Sequence, residues 1–402
     1  MAPLKQPLPG ALPGALPKAL PGQRALFDIP DDVAYLNCAY IGPLPKPALA
    51  AGEIGMARKA TPWIVSQSDF FTESDAIRAL LGRMINAPAD RLGQDVALVP
   101  SVSYGMAQAV SALEPGLRPG QEILVLADQF PSNLYPWMVL AERKGARIKT
   151  VPRPADDDWT AAVLEHLTPA VAIAALPHNH WTDGGLLDLE SIGRACRAQG
   201  AALCVDATQS LGALPFDAAR IDPDFLAVGG YKWLLGPYSY GYLYVAPRWQ
   251  QALPIEQNWI TRKASEDFSR LVEYQAEYQP GACRFDVGER SNFALAPAAK
   301  ASLELLLDWG VENIQASLRA RTDQIAARAQ DEFGLGSVAP NRRAGHFLGL
   351  RFKGAPPADL PARLAQAKVY VSIRGPAMRV TPHLYNTDAD VDRLFAVLRD
   401  AL

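Results

Sequence analysis

The chain has 402 residues, of which 49% are apolar and 20% are charged, and its formal net charge is −3. These values are typical of a globular protein with more than one domain, and they exclude a strongly basic protein that binds nucleic acid or membrane surfaces. No apolar run approaches the ~20 residues that a membrane span needs. We therefore expect neither nucleic acid nor a membrane among its partners.

The cysteine pattern favours a reducing compartment. The four cysteines include no C-x-x-C pair, and two of them lie in apolar runs. This predicts reduced, mostly buried thiols, a cytoplasmic location and no zinc site. His178 and His180 lie two residues apart, but the sequence offers no evident third ligand, so we expect no metal.

The first part of the chain predicts a tail and then helices. Residues 1–24 repeat Leu-Pro-Gly-Ala with little else. Proline every few residues is incompatible with a helix, so we predict a disordered tail over this range. The tail lacks the continuous apolar core and basic start of a secretory signal. A strand and a turn follow at residues 35–45, and helical periodicity covers residues 47–59 and 74–85.

Alternation of strands and helices begins with residues 95–113, which predict a strand, a polar turn and an amphipathic helix. Ser101 and Ser103 lie where this helix starts. Its unpaired N–H groups and these hydroxyls form a candidate anion site, with ordinary serine N-capping as the alternative. Phe130 lies just past the next strand, where its ring could either stack on a cofactor or belong to the core.

Two short apolar runs in the middle of the chain each lead to a chemically active side chain. Residues 201–205 end in Asp206, and residues 225–228 lead through two glycines and Tyr231 to Lys232. Parallel strands would place Asp206 and Lys232 at one edge of a sheet, where open α/β sheets bind ligands. This pair indicates a Schiff-base site, in which the lysine holds an aldehyde cofactor and the aspartate pairs with a pyridinium nitrogen.

The rest of the chain predicts a second α/β unit. The polar loop at residues 178–183 is interpreted as a hydrogen-bonding loop beside a ligand. Glycines after residue 333 match a loose dinucleotide fingerprint but follow a helix, and a nicotinamide oxidoreductase rests on them alone. Further strands and helices are predicted at 241–245, 294–309, 311–333, 347–352, 361–367, 369–373 and 388–402. The predicted division is a large domain over residues 60–300 and a small domain built from residues 25–59 and 301–402.

Two motifs carry a family resemblance. VDATQ at residues 205–209 and GGYKWLLGP at residues 229–237 resemble those of the fold-type I pyridoxal-phosphate enzymes of the class V aminotransferase superfamily. That group includes cysteine desulfurases, kynureninases and isopenicillin N epimerase-like proteins. The resemblance implies an α/β fold with a mostly parallel seven-stranded sheet between helices in a large cofactor-binding domain, plus a small α/β C-terminal domain.

The resemblance also implies roles for individual residues. Lys232 matches the lysine that forms the Schiff base with pyridoxal 5′-phosphate (PLP), and Asp206 matches the carboxylate that faces the pyridine nitrogen. Gln209 matches a donor to the phenolic oxygen, and Phe130 matches the stacking aromatic residue. Further cofactor contacts are implied at Ser101, Val102, Ser103 and Tyr231, and at either Asn179 or His180.

Substrate contacts are implied near the end of the chain. The segment IRGPAMRVTPHLYNT, residues 373–387, resembles the motif that binds the substrate carboxylate. Arg379 is its best match and Arg374 is a second candidate, with a surface ion pair as the alternative for either. Arg284 resembles a segment that approaches the site of a neighbouring subunit, so the resemblance implies a homodimer with shared active sites.

The implied function is a PLP-dependent enzyme that acts on an amino acid through an external aldimine and removal of the Cα proton by Lys232. Transamination is the first expectation, and a β-lyase or an epimerase is the alternative. Residues 375–378 contain no cysteine, which argues against a persulfide-forming desulfurase. Gln209 stands where kynureninases carry histidine, which argues against kynurenine as the substrate. An alternative of another class is a binding or regulatory protein that kept this fold without its chemistry.

Overall fold

The structure of the protein is a computed structural model that describes residues 17–402. The α-helices in this range are α1 Lys46–Ala57, α2 Thr72–Met84, α3 Val102–Leu113, α4 Tyr135–Lys144, α5 Trp159–His166, α6 Leu189–Gln199, α7 Ala218–Ile221, α8 Leu295–Trp309, α9 Val311–Phe333, α10 Leu360–Gln366 and α11 Asp388–Ala401. The strands are β1 Ala34–Tyr35, β2 Val96–Val99, β3 Glu122–Leu126, β4 Arg147–Val151, β5 Val171–Pro177, β6 Ala202–Asp206, β7 Phe225–Gly229, β8 Gly241–Val245, β9 Leu348–Arg351, β10 Val369–Tyr370, β11 Ser372–Arg374 and β12 Ala377–Val380.

The tail predicted over residues 1–24 lies mostly outside the described residues. The prediction of disorder is wrong for its last part, which is bound to α9. The Lys18 N–H donates to Asn313 Oδ1 at 2.8 Å, and the Leu20 N–H donates to Ser317 Oγ at 2.8 Å. A Pro-rich segment makes no internal backbone hydrogen bonds. Its remaining N–H groups are therefore available to side chains of a helix that is remote in sequence.

Seven strands form the main sheet in the order β2-β8-β7-β6-β5-β3-β4. Strand β8 runs antiparallel to its neighbours β7 and β2, and the other adjacent pairs are parallel. The prediction of an α/β fold with a mostly parallel seven-stranded sheet is confirmed. Parallel strands need crossover connections, and the helices of these connections cover both faces of the sheet.

The central strands are apolar throughout because both of their faces are covered. On β6, Leu203 and Val205 belong to the apolar core on one face of the sheet, whereas Ala202 and Cys204 belong to the core on the other face. Successive side chains alternate between the two faces. Asp206 therefore follows Cys204 onto the face that is covered by α3.

Helix α3 packs closely on this face because Gly105 has no side chain. A Cβ atom at Gly105 would stand 3.1 Å from the Cβ of Ala227 on β7, which is closer than almost all side chains approach. The first turn of α3 follows the carboxyl end of β2. The close packing therefore brings this turn near the carboxyl ends of the neighbouring strands.

The two ends of the chain meet in a separate α/β unit. Strands β9, β12 and β11 form an antiparallel sheet, and β1 pairs in parallel with β10. Leu348, Leu394 and Phe395 are part of its own apolar core. The domain limits 60–300, 25–59 and 301–402 stay predictions.

The glycines after residue 333 have a structural role in this unit, which corrects the dinucleotide interpretation. Gly334 ends α9 in the left-handed region with φ 65°, as glycine commonly does after a helix. Gly336 then pairs with Arg351 at the end of β9. These glycines therefore cap a helix and start a strand contact.

A buried ion cluster ties α2 to the main sheet. Asp286 accepts the Leu98 N–H at 2.7 Å through Oδ1, and its Oδ2 accepts from Arg290 at 2.6 Å and from Arg78. Arg78, on α2, also donates to the Val96 carbonyl at 3.1 Å. The three charged side chains are almost fully buried. The Asp286 carboxylate therefore contacts two buried guanidinium groups, and Arg78 also pairs with the exposed Asp75 at 2.9 Å.

We expect Asp286→Asn to lower the free energy of unfolding by about 3–5 kcal/mol. It leaves buried Arg290 without its carboxylate partner and leaves Arg78 with the more exposed Asp75 alone. Denaturant unfolding followed by circular dichroism measures the change. Asp359→Asn is the control, because its exposed carboxylate pairs with Arg363 one helical turn away, and it should change stability little. Equal losses in the two variants would contradict the role of the cluster.

Candidate active site

The carboxyl ends of β2, β3, β5, β6 and β7 meet around a cavity of about 250 Å³. The side chains come together because parallel strands end at the same edge of the sheet. Lining residues with a predicted role are Ser101, Val102, Ser103, Phe130, Asn179, Asp206, Gln209, Tyr231 and Lys232.

Lys232 is buried at the bottom of this cavity. Its Nζ lies 5.4 Å from the centroid of the Phe130 ring and 5.5 Å from that of Tyr231. Burial lowers the pKa of Lys232 from its ordinary value of 10.5 to about 8, although Asp206 opposes this shift. A usable fraction of the amine is therefore neutral, and hence nucleophilic, at mildly alkaline pH.

Asp206 lies at the end of β6 and is also buried. Its Oδ1 accepts the backbone N–H of Thr208 at 3.0 Å. Burial raises the pKa of Asp206, while Thr208 and Lys232 act in the opposite direction. A cation placed against this carboxyl group would favour its ionised form, and a protonated ring nitrogen is such a cation.

The structure separates the two neighbours Asn179 and His180, which the sequence left as alternatives. Asn179 lines the cavity, is 1% exposed, and has no hydrogen-bond partner for either amide atom among the described residues. His180 points away from the cavity. Its ring stacks on Trp159 with centroids 5.2 Å apart, and it contacts the Ala127 carbonyl through Nε2 at 3.0 Å and Thr182 Oγ1 through Nδ1 at 2.8 Å.

These contacts define the protonation of His180. A carbonyl only accepts, so Nε2 carries the hydrogen, and Nδ1 accepts from the Thr182 hydroxyl. Burial lowers the pKa of His180, which keeps the ring neutral. His180 therefore holds the loop, whereas Asn179 is available to a ligand.

Gln209 is fixed in orientation by the chain. Its Oε1 accepts from Trp233 Nε1 at 3.1 Å, and its Nε2 donates to the Ala39 carbonyl at 3.1 Å. An amide nitrogen has two hydrogens. The second one remains for a ligand in the cavity, in agreement with a donor role.

The turn before α3 combines capping with an anion site. Ser101 Oγ accepts the Tyr104 N–H at 3.1 Å and lies 3.0 Å from Ser103 Oγ. The N–H groups of Val102 and Ser103 belong to the first helical turn, which offers them no acceptor. The serine therefore caps the helix and leaves donors for a phosphate group at the same place.

Arg379 lies beside the cavity without lining it. It is 2% exposed, and its guanidinium donates to the Trp181 carbonyl at 3.1 Å and towards Ser372 Oγ at 3.4 Å. Its Nε has no partner among residues 17–402. Burial, together with the nearby Arg374, lowers the pKa of Arg379 to about 10. None of these partners is a carboxylate.

Arg284 does not line the cavity within one chain. Its guanidinium lies 5.1 Å from the centroid of the Tyr278 ring, and it donates to Gln251 at 3.4 Å. Its predicted contact with a substrate thus requires a second subunit and stays a prediction.

Sequence reasoning missed several residues that line the cavity. Trp181 is the most informative of them: its Nε1 donates to the Asp128 carbonyl at 2.7 Å, and its ring lies 5.5 Å from Phe130 in an edge-on contact. Its place in the polar loop after β5 was the available signal. Other lining residues without a predicted role are Gln129, Ser132, Asn133, Thr208, Tyr238, Ser239 and Tyr240.

The cavity and the fold together define a class of protein. An amine of lowered pKa, a buried carboxyl group, an aromatic ring and a helix N-terminus surround one cavity at the edge of an α/β sheet. This set suits an aldehyde cofactor that carries a ring nitrogen and a phosphate group. In the described residues, no cluster of three or more His, Cys, Asp or Glu side chains is arranged to hold a metal.

Residues 66–394 match the family model described as aminotransferase class-V, and the chain belongs to this family. It is an enzyme that depends on PLP. The unpartnered amide of Asn179 and the N-terminus of α3 are observations of this structure that fit the cofactor.

Curated relatives differ in their reactions. The chain is 27% identical to an uncharacterized aminotransferase, YcbU, of Bacillus subtilis over 83% of this chain and 84% of the relative. It is 27% identical to isopenicillin N epimerase of Streptomyces clavuligerus over 92% of this chain and 95% of the relative. It is 28% identical to kynureninase of Deinococcus radiodurans over 93% and 91%, respectively.

Solved structures share the fold. A cysteine desulfurase from Thermococcus onnurineus NA1 superposes with a TM-score of 0.80 at 19% identity, covering 95% of this chain and 98% of the other. The cystine C-S lyase C-DES, in complex with its product cysteine persulfide, has a TM-score of 0.80 at 21% identity, covering 92% and 98%. The predicted family and fold type are confirmed.

We expect Asn179→Ala to weaken PLP binding by about tenfold, because a buried amide loses its ligand contact. The stability of the protein without cofactor should stay the same or rise, since that amide has no partner in the described chain. Fluorescence titration with PLP and thermal unfolding measure the two effects.

His180→Ala is the matched comparison for Asn179→Ala. It should destabilise the cofactor-free protein, because it leaves the partly buried Ala127 carbonyl without its donor and removes the acceptor of the Thr182 hydroxyl. The opposite pattern, with Asn179→Ala destabilising and His180→Ala neutral, would contradict the assignment.

Proposed function

We propose that the reaction is transamination of an amino acid, with Lys232 as the base that moves the proton. The observation that carries this proposal is the composition of the cavity wall. Among the described lining residues, Lys232 is the single amine, and the wall holds no histidine, cysteine or glutamate. One base that can move a proton from one carbon to another is what transamination requires.

PLP supplies an aldehyde for the substrate amine and a ring that takes up electron density released at Cα. We infer that Lys232 and Asp206 hold it at its aldehyde and its ring nitrogen. The phosphate group would lie on the first turn of α3, and Phe130 would lie against the ring. Asn179, Gln209 and Tyr231 would provide the remaining polar contacts.

Arg379 is the proposed ligand of the substrate α-carboxylate. It is a buried guanidinium whose partners in the chain are a carbonyl and a hydroxyl. A buried cation without an anion is costly, and a carboxylate accepts two parallel hydrogen bonds from this group. Holding the carboxylate fixes the orientation of the bonds at Cα relative to Lys232.

Persulfide chemistry has no support at this site. The thiol of Cys38 is fully buried, and its Sγ lies 3.7 Å from the Lys232 carbonyl oxygen. Burial raises the pKa of Cys38 well above its usual range. An uncharged, enclosed thiol is a poor nucleophile.

We also propose a homodimer that acts on a small-molecule amino acid substrate in the cytoplasm. Large apolar side chains are exposed on and after α1: Ile54 at 69%, Met56 at 62% and Trp63 at 80%. Exposed apolar side chains grouped in this way favour a protein interface, and Arg284 is the candidate residue that crosses it.

The cysteines support the proposed location. All four are unpaired, as in a reducing compartment. Within the described residues, none of the helices has both the length and the apolar character needed to cross a membrane.

The reaction is tested by product analysis with a panel of amino acids. A transaminase converts about one equivalent per site without an acceptor and turns over continuously when a 2-oxo acid is added. A lyase exceeds one equivalent without an acceptor, and an epimerase yields the D-enantiomer; either result would contradict the proposal. Lys232→Ala should lose the visible absorbance of the bound cofactor and the activity, whereas a yellow wild-type protein that turns over no amino acid would favour a non-catalytic role.

The lowered pKa of Lys232 predicts a pH profile. Only the neutral amine can capture the cofactor aldehyde, so the capture rate of the cofactor-free protein should rise with pH with its midpoint at about 8. Stopped-flow absorbance measures this rate, with Nα-acetyl-lysine as the reference amine, whose midpoint should lie near the ordinary 10.5. A shared midpoint for the two amines would refute the pKa shift.

A further inference from the structure

We propose that Arg374 forms, next to Arg379, a subsite for a second anionic group, so that the substrate is an amino acid whose side chain ends in a carboxylate or a similar anion. This inference rests on the proposed function, because it assigns the α-carboxylate to Arg379.

Strand register places the two arginines on one face of the small sheet. Ser372 stands directly opposite Arg379, and Arg374 stands opposite Ala377. Residues two apart along a strand point to the same face, so Ser372, Arg374 and Arg379 share it. The contact from Arg379 Nη2 to Ser372 Oγ, at 3.4 Å, agrees with this register.

Arg374 and Arg379 are therefore diagonal neighbours. Residues in such positions are roughly 7–8 Å apart, with their Cβ atoms somewhat closer, which is within reach of long side chains. Gly375, with φ 55°, makes the tight turn between the two strands and keeps Arg374 in this position. One small ligand can thus contact both groups.

Neither of these arginines donates to a carboxylate in its hydrogen bonds among residues 17–402. Arg374 donates to the carbonyl of its neighbour Ile373 at 2.9 Å, and Arg379 donates to a carbonyl and a hydroxyl. Elsewhere in the same small sheet, Arg351 binds Asp157 through both Nη atoms at 2.8 Å and also Asp183. The pair near the cavity therefore differs from a structural arginine.

The electrostatic balance of this region favours anions. Lys232, Arg374 and Arg379 are close enough that Arg374 lowers the pKa of each of the other two. Asp206 is the carboxyl group that lines the cavity with Lys232. One α-carboxylate occupies one guanidinium fork, which leaves the charge of Arg374 for a second anionic group.

The test compares isosteric substrates on the holoenzyme. We expect kcat/KM for L-glutamate and L-aspartate to exceed that for L-glutamine and L-asparagine by at least about tenfold, as for one charge-assisted hydrogen bond. Arg374→Gln should lower kcat/KM for the anionic substrates about tenfold more than for the neutral ones, which removes the preference, and Arg374→Lys should retain part of it. Arg363→Gln is the control, because this arginine is exposed on α10 and pairs with Asp359.

Calorimetric binding provides a second readout that does not depend on turnover. Glutarate should bind the holoenzyme more tightly than butyrate, and the difference in affinity should vanish in Arg374→Gln and decrease as the salt concentration rises.

If Arg374→Gln lowers kcat/KM for glutamate and glutamine equally, the two arginines bind one carboxylate and the inference is overturned. Turnover without any preference for anionic substrates overturns it too, but leaves the proposed function intact. If no amino acid changes the cofactor spectrum, the proposed function fails, while equal binding of glutarate and butyrate would still refute the subsite.

Discussion

Polar groups that are buried with unfilled hydrogen bonds are the constraint on which this site depends. Both amide atoms of Asn179 and the Nε of Arg379 are buried and have no hydrogen-bond partner among the described residues, and Lys232 beside them is 6% exposed. Such burial costs free energy unless another group provides the missing contacts. The cluster around Asp286 is the contrast, because there the opposite charges are all supplied by the protein. On the proposed assignment of these residues, cofactor and substrate would supply the missing contacts.

The scaffold places these groups without distorting the strands that carry them. The carboxyl ends of parallel strands supply the amine, the carboxyl group and the amide, and α3 adds backbone donors on the same face. The loop with Asn179 is held from behind: Asp183 accepts from Arg153 at 2.7 Å and from Arg351 of β9 at 2.7 Å. Because β9 pairs with the strand of Arg379, the loop of Asn179 and Arg379 belong to one connected network.

Local patterns explain why much of the architecture could be predicted. Continuous apolar runs such as residues 201–205 and 225–228 predicted strands buried on both faces, and the observed sheet has them at its centre. The contacts of the tail were harder to predict, because Lys18 and Leu20 bind residues almost 300 positions away in the sequence. The glycines after residue 333 misled for a related reason, since their spacing alone does not tell a helix cap from a phosphate loop.

The sequence alone was enough to place Lys232 and Asp206 in one site. Each follows a short apolar strand, and the carboxyl ends of parallel strands lie at the same edge of the sheet. The sequence was also enough to point to the cofactor class. The sequence could not tell which of Asn179 and His180 faces the cavity, because adjacent loop residues differ in the direction of their side chains. For His180 that direction is set by contacts with Trp159, Ala127 and Thr182. The shared face of Arg374 and Arg379 likewise follows from strand register. Register is fixed by contacts between segments that meet only in the folded chain.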